Sequence, residues 1–371
     1  MRIAITGARG FIGRNLQVRL QELGHSDLEK IPHDAQPADL RQILAGVDIV
    51  FHLAGVNRPK DPADFSSGNH AFTRKLCEAM SAQRRPPRVV YSSSTQAALD
   101  NAYGRSKREA EDELLDYGRR TGAAVHVFRL TNVFGKWSRP NYNSAVATFC
   151  HNIARGEPIT VNDRMAPLKL IYVDDVVRHF CALLEENVPP SGLLEAGPEY
   201  DTTVGALADQ IHAFHASREN MVTERVGVGL TRALYATYVS FLPLPAFEYE
   251  VPRHVDPRGV FVEMLKTPDC GQFGYFTAFP GITRGEHYHH TKTEKFLVVK
   301  GTASFGYRHI ITNELHEIIT RGGEGRIVET IPGWTHNVTN IGDDELVVLV
   351  WANEIFDRRK PDTVAEKVQQ A

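Results

Sequence analysis

Met1-Arg-Ile-Ala-Ile-Thr-Gly-Ala-Arg-Gly-Phe-Ile-Gly13 decides the reading of the first half of the chain. Arg2–Thr6 has the apolar run of a short buried strand. Phe11–Leu23 carries apolar residues at Phe11, Ile12, Leu16 and Leu20, the spacing of one helix face. Between them Gly7, Gly10 and Gly13 form a G-x-x-G-x-x-G turn. Glycines in a strand–turn–helix permit a tight turn, close approach of backbone to a pyrophosphate, and close packing of helix on strand. The helix start adds unpaired N–H groups and a partial positive charge. A turn that merely packs a helix is the plainer alternative, but its place directly after the first strand points to nucleotide binding by Gly7, Arg9, Gly10, Phe11, Ile12 and Gly13.

Working outward, Val47–Leu53, Val89–Ser92 and Ala124–Arg129 read as further strands, with Phe72–Met80 and Tyr103–Gly118 as helices between them. Alternating strands and helices predict βαβ units, a parallel sheet and helices on both faces. The texture changes near residue 245. Phe241–Phe247, with two prolines, reads as a linker. Beyond it lie short runs rich in Val, Phe, Tyr, Ile and Thr, of which Phe296–Val299, Ile327–Thr330 and Leu346–Trp351 are the clearest strands, as in an all-β sandwich or barrel. The expected domains are 1–245 and 246–371, with 196–245 completing the substrate lobe of the first.

Tyr103 and Lys107 form a Y-x-x-x-K that places a phenol and an ammonium on one helix face. A neighbouring cation lowers a phenol's pKa, which suits general acid–base work near neutral pH. With Ser92-Ser93-Ser94 upstream and His-Leu-Ala-Gly at 52–55, the chain resembles the extended short-chain dehydrogenase/reductase family over roughly 1–240. Arg129-Leu-Thr-Asn-Val-Phe-Gly135 and Tyr172-Val-Asp-Asp-Val176 belong to the same likeness. The resemblance implies a Rossmann-type doubly wound α/β fold and a catalytic set of Ser94, Tyr103 and Lys107, with Ser93 or Thr95 as alternatives for the serine role. It adds Leu53, Ala54, Gly55, Tyr103 and Lys107 to the cofactor contacts, Asn69 as a residue supporting the site, and Asn132 as a substrate contact or a loop cap. Only nine positions separate Ser94 from Tyr103, a short spacing for the family. An acidic residue near Ile31–Asp34 would favour NAD, whereas Arg9 with His33 suits a 2′-phosphate. The expectation is NADP(H).

The C-terminal third carries a second constellation. Gly281 is followed by His287-Tyr-His289, Glu294 and Gly301, and Gly325 leads to Gly333, His336 and Asn340. Alternation along a strand puts His287 and His289 on one face, and Glu294 and His336 from neighbouring strands would complete a three-histidine, one-carboxylate set for a divalent ion. Nitrogen and oxygen donors suit zinc, and also iron, manganese or nickel. The spacing resembles the two motifs of the cupin family, with Ile331 where that family carries a proline. Asp256-Pro-Arg258-Gly259 and Arg284-Gly-Glu-His287 are also similar to the dTDP-sugar 3,5-epimerase branch of the cupins. That branch uses the histidine as a metal-free base. The complete ligand set favours metal at His287, which leaves His290, Lys292 and Tyr288 as candidate bases. Arg258 is a candidate substrate anchor or an ordinary edge arginine.

His-Leu-Ala-Gly-Val-Asn-Arg-Pro (52–59), Phe-Gly-Lys-Trp at 134–137 and His287–Val299 together resemble the bifunctional CapF-type enzymes of capsular polysaccharide synthesis. That resemblance implies a homodimer acting on a UDP-4-keto-6-deoxy-N-acetylhexosamine. The cupin would invert C3 and the reductase would then reduce C4, towards UDP-N-acetyl-L-fucosamine. A plain reductase with a structural cupin, and a non-catalytic sugar-nucleotide sensor, are the rival readings. A net charge of −3 gives no reason to expect nucleic acid or an anionic membrane as partner. Four scattered cysteines without a C-x-x-C pair, no signal-type N-terminus and no long apolar stretch predict a cytoplasmic protein.

Overall fold

The computed structural model describes residues 1–57, 61, 65–185 and 188–369. The chain divides into two compact units, Met1–Asp209 with Ala233–Phe241 and Gln210–Arg232 with Leu242–Ala371.

The first unit is built on β1 (Ile3–Thr6), β2 (Leu28–Ile31), β3 (Ile49–His52), β4 (Arg88–Ser94), β5 (Val125–Leu130), β6 (Asn132–Phe134), β7 (Pro167–Tyr172), β8 (Gly192–Leu194) and β9 (Glu199–Thr203). Its main sheet runs β2-β1-β3-β4-β5-β8, every pair parallel, and β6, β7 and β9 make a small mixed sheet. Four residues such as Ile3–Thr6 have little intrinsic preference for a strand; burial on both faces decides it. Ile3 and Ile5 join a cluster with Leu16, Leu20, Val176 and Phe180, from α1 (Phe11–Glu22) and the helix Val173–Ala182. Ala4 points the other way, to Leu40, Leu76, Met80, Leu114 and Tyr117. These belong to α2 (Pro37–Ile43), α3 (Phe72–Ser81) and α4 (Ala102–Thr121). Each fully buried aliphatic or aromatic side chain contributes about 1.5–3 kcal/mol, so the two apolar layers dictate the doubly wound arrangement expected from the sequence. Asn101 caps α4 by accepting the Gly104 N–H at 2.7 Å, and Gly122 ends it at φ +76°.

The second unit contains β10 (Arg253–Asp256), β11 (Gly259–Thr267), β12 (Gly271–Ala278), β13 (Thr283–Tyr288), β14 (Glu294–Lys300), β15 (Thr302–His309), β16 (Leu315–Arg321), β17 (Ile327–Glu329), β18 (Trp334–Asn340), β19 (Leu346–Ala352) and β20 (Val364–Ala365). One antiparallel sheet runs β10-β11-β12-β19-β14-β17 and the other β16-β15-β18-β13-β20. Phe276, Phe296, Val298, Phe305, Val338 and Val348 fill the space between them, giving a cupin-like β domain. Gln210–Arg232, assigned from sequence to the substrate lobe of the first domain, belongs to this unit. Its backbone adds to β11: Lys266 N–H donates to Met221 O and Thr223 N–H to Lys266 O, both at 2.8 Å. Among the described residues, no helix is long and apolar enough to cross a membrane.

Candidate active site and metal centre

A groove of about 1540 Å³ opens above the C-terminal strand ends of the first unit, lined by Gly7, Arg9, Gly10, Phe11, Ile12, Gly13, Leu53 and Gly55 on one side. The glycines are sterically required. A Cβ on Gly7 would lie 2.7 Å from Ala54 N, and one on Gly13 would lie 2.3 Å from Gly7 O. Gly10 sits at the start of α1 without a side-chain cap, so the first helical N–H groups face the groove unpaired. Two expected cofactor contacts are not in the lining. Ala54 turns its N–H to Thr6 Oγ1 at 3.0 Å, bracing the loop from behind. His33 lies beyond the end of β2 with its side chain 92% exposed. Arg58 and Pro59 of the 52–59 stretch lie outside the described residues.

Behind that loop runs a buried polar chain. Thr6 Oγ1 hydrogen-bonds His52 Nδ1 at 2.7 Å, His52 Nε2 meets Thr73 Oγ1 at 2.9 Å, and Thr73 donates to Asn69 O at 2.7 Å. Burial, followed by the Lys107 charge, holds His52 down to about 3, so the imidazole is neutral. Asn69 is wholly engaged. Its Oδ1 accepts from Val56 N–H at 2.8 Å, and its Nδ2 donates to Val56 O at 3.1 Å and Ser106 Oγ at 3.0 Å. Its amide is thus spent on Val56 and Ser106, behind the groove and outside its lining. Asn132 does line the groove, with Nδ2 on Lys169 O at 3.0 Å.

The three candidates for the serine role differ in their surroundings. Ser93 Oγ donates to the buried Glu111 carboxylate, which Arg129 also grips at 2.6–3.2 Å. Ser94 lines the groove with its hydroxyl near enough to the Tyr103 phenol to pull its pKa down, while Thr95 starts a short 3-10 turn and is exposed. The Tyr103 phenol sits above its ordinary range, because burial outweighs the Ser94 hydroxyl that pulls it down. This differs from the expected lowering by Lys107. The Lys107 ammonium is turned to Ser92 O at 2.8 Å and to the Tyr91 ring at 4.4 Å. Burial pushes Lys107 down to about 7, with Glu111 one turn along α4 opposing that shift.

In the second unit His287 on β13 pairs directly with His336 on β18. His289 follows just past β13, with ring centroids 4.9 Å from His287 and 5.2 Å from His336. Glu294 comes from β14 in the facing sheet, not from a neighbouring strand as expected; its carboxylate spans the gap between sheets to 3.4 Å from His289 Nε2 and 3.6 Å from His336 Nε2. One donor atom from each of the four lies within 4.8 Å of the others. Burial raises the Glu294 carboxyl, but His289, His336 and Lys292 outweigh it and hold the group well below its usual range. Both nitrogens of buried His336 lack a hydrogen-bond partner. An imidazole so placed beside two more and a carboxylate fits a divalent ion, which would take up the free lone pair.

Two small cavities flank Glu294. One, of about 140 Å³, is bordered by Phe276, Arg284, His287, Phe296 and His336; the other, of about 190 Å³, by Glu263, Gln272, Lys292 and Phe356. Lys292 is buried, with Nζ 3.0 Å from Glu294, whereas His290 is exposed, meets the Tyr288 ring edge to face and borders neither cavity. Arg258 lies in the β10–β11 turn, held by Asp256 at 2.6 Å with its side chain 53% exposed, and lines neither cavity. The arginine the sequence reading passed over is Arg284. It donates from Nε to Thr277 O at 2.9 Å and leaves a buried NH2 without a hydrogen bond, 3.8 Å from Asp256 Oδ1 and near His287. Its place in the Arg284-Gly285 pair was the available signal.

Residues 3–197 match the family described as the NAD dependent epimerase/dehydratase family, and residues 254–364 match the polysaccharide biosynthesis C-terminal domain. A UDP-2-acetamido-2,6-beta-L-arabino-hexul-4-ose reductase of Pseudomonas aeruginosa is 53% identical over 365 residues, 98% of this chain and 98% of that protein. Among solved structures, the capsular polysaccharide assembling protein CapF from Staphylococcus aureus aligns with a TM-score of 0.91 at 39% identity, over 99% of this chain and 100% of that one. A UDP-glucose 4-epimerase from Thermotoga maritima shares the fold over 65% of this chain and 98% of its own, at TM-score 0.54 and 21% identity. Since the first match spans more than half of the chain and the first two relatives nearly all of it, this chain belongs to the NAD dependent epimerase/dehydratase family, in its CapF-type form with a polysaccharide biosynthesis C-terminal domain.

Proposed function

We propose that the chain remodels a UDP-linked 4-keto-6-deoxy-N-acetylhexosamine in two steps, C3 inversion in the barrel and C4 reduction in the groove, towards UDP-N-acetyl-L-fucosamine. The substrate class follows from the name of the Pseudomonas aeruginosa relative. The observation that carries the reading is chemical: one chain holds both a Ser94–Tyr103–Lys107 constellation and a three-histidine, one-glutamate pocket. A C4 ketone is the functional group that both can use.

In the groove, the glycine turn and the first N–H groups of α1 would hold the pyrophosphate of NADP(H), with Arg9 near the adenosine end. Bound NADPH supplies the hydride to C4. Ser94 Oγ would hold the carbonyl oxygen, and Tyr103 would give it the phenolic proton as negative charge develops. Lys107 is in reach of a ribose hydroxyl once it leaves Ser92 O. In the barrel, His287, His289, Glu294 and His336 would hold one divalent ion, zinc in this reading, whose Lewis acidity favours loss of the C3 proton next to the ketone. Lys292, inward-facing and buried, is better placed than His290 to exchange a proton with C3: its ammonium would return one, or its neutral amine would take one up. Arg284, whose buried NH2 makes no hydrogen bond and lies 3.8 Å from Asp256, would hold an oxygen of the UDP-sugar. A cytoplasmic homodimer accompanies this reading.

Proton exchange at C3, followed by NMR in D2O with the UDP-4-keto sugar and no NADPH, tests it. Exchange should survive Tyr103→Phe and vanish in a still-folded His336→Ala. No exchange in the parent, with NADPH still consumed on the same sugar, would reduce the barrel to a scaffold.

A further inference from the structure

Past β19 the chain returns across the rim of the barrel pocket. β20 pairs with the outer edge of β13, Val364 opposite Tyr288 and Ala365 opposite His287. Just before it, Asp362 aims its carboxylate at the turn that follows β13. Oδ1 accepts the His290 N–H at 2.9 Å; Oδ2 accepts the Thr291 N–H at 2.6 Å, the Lys292 N–H at 2.8 Å and the Thr291 hydroxyl at 2.9 Å. The Asp362 backbone carbonyl takes the Nδ1–H of His289 at 2.5 Å. That bond sets the tautomer in which Nε2 keeps its lone pair, and Nε2 is the atom turned towards Glu294.

The same strap holds the strand itself. Glu286 adopts φ +62°, a left-handed conformation that a glutamate enters only when its surroundings hold it there. It forms the bulge between Gly285 and His287 that brings His287 opposite His336. Each polar end of Glu286 is tied down: Oε2 by the Val368 N–H at 2.8 Å, Oε1 by Asn337 Nδ2 at 2.9 Å, and its carbonyl by the Glu366 N–H at 3.0 Å. Arg308 anchors the far end of the strap, donating to Glu366 at 2.6 Å and to the Lys367 carbonyl at 2.8 Å.

We propose that the C-terminal strap is a working part of the metal centre, and that Asp362 is a positioning residue for divalent-ion binding. It acts through the 289–292 turn and the His289 tautomer and does not touch the ion. The inference rests on the metal reading proposed above. Groups that orient the ligands of a metal typically change its affinity by about 10–100-fold when removed.

The test is titration of the full chain with Co2+ alone, reading affinity by competition with a chromophoric chelator and ligand geometry by the visible bands. Asp362→Ala should bind Co2+ roughly 10–100-fold more weakly than the parent, with shifted bands, while the metal-free circular dichroism is unchanged. Asp362→Asn keeps the shape and one acceptor oxygen but presents an NH2 to a backbone donor, so its loss should be smaller and in the same direction. It serves as the decisive variant if Asp362→Ala does not fold. Parent-like affinity and bands in the folded variant would overturn the proposal. Equal Co2+ binding by the parent and His336→Ala would instead overturn the metal reading, and the inference with it.

Discussion

Lys107 stabilises the folded chain less than its deletion would. It is 4% exposed, its ammonium has one hydrogen bond, to Ser92 O, and burial takes it from an ordinary 10.5 to about 7. By linkage, that shift costs the folded state about 4 kcal/mol at pH 7. The folded lysine is the weaker base, so the cost is full below pH 7, where both states are charged. It shrinks as pH rises from 7 to 10.5, where the unfolded chain alone keeps its proton. Lys107→Met keeps the apolar stem and removes the charge, at the loss of one hydrogen bond of about 1 kcal/mol. The variant should therefore be more stable than the parent by roughly 3 kcal/mol at pH 6–7, with the advantage reversing near pH 10. Trp137 is the tryptophan of the first unit, so in a Trp334→Phe, Trp351→Phe background its fluorescence reports urea unfolding of that unit. A Lys107→Met chain less stable than the parent at pH 6, or a difference that does not vary with pH, would refute the argument. In the proposed reaction the same variant should lose NADPH turnover, the usual conflict between a site and its scaffold.

Two further substitutions separate neighbouring roles. Gly13→Ala drives a methyl to within 2.3 Å of Gly7 O and 2.9 Å of Ala8 Cα, both backbone, so α1 must move off the turn. It should destabilise the unit by about 1–3 kcal/mol and weaken NADPH binding, read by nicotinamide fluorescence, at least about tenfold. Ser94→Ala should lower turnover by about 10²-fold with stability intact. Ser93→Ala strips a donor from buried Glu111 and should cost about 1–3 kcal/mol of stability while sparing turnover. Steady-state kinetics showing the reverse pattern would exchange their assignments.

Local chemistry was legible in the sequence; contacts between distant segments were not. The glycine turn, the Tyr103–Lys107 helix and the three histidines are each written within a few residues, where helical or strand periodicity fixes which side chains share a face. Glu294 was legible as a member of the histidine cluster but not as coming from the facing sheet, because periodicity along one strand carries no information about the other layer. Ser66–Ala71 forms a π-helix ahead of α3, which no local pattern foretells; Asn69 within it is held by Val56 and Ser106, 13 and 37 positions away. Asp362 reaches the 289–292 turn across about seventy positions with nothing around it but Pro361 and a threonine. The preference for Arg258 over Arg284 was a matter of pairing. Arg258 is held by the Asp256 carboxylate at 2.6 Å, whereas Arg284 hydrogen-bonds a carbonyl, meets the same carboxylate only at 3.8 Å and keeps its NH2 without a hydrogen bond.

The two sites handle charge in opposite ways, which bears on why one ketone would visit both. In the groove, burial moves Tyr103, Lys107 and His52 alike towards their neutral forms. A phenol held above its usual range keeps its proton until a strong base appears, and the oxygen of a ketone being reduced becomes such a base only as hydride arrives. In the proposed reaction the raised phenol would tie proton transfer to reduction, and the groove would be poorly suited to drawing a proton from C3. In the barrel, Glu294 is held ionised among three imidazoles and the Lys292 ammonium, an arrangement that concentrates charge between the cavities of about 140 Å³ and 190 Å³. Such a pocket favours a divalent ion and the enolate that loss of the C3 proton would create. A single site could not satisfy both demands, because the field that stabilises an enolate also favours the ionised tyrosine that reduction must avoid.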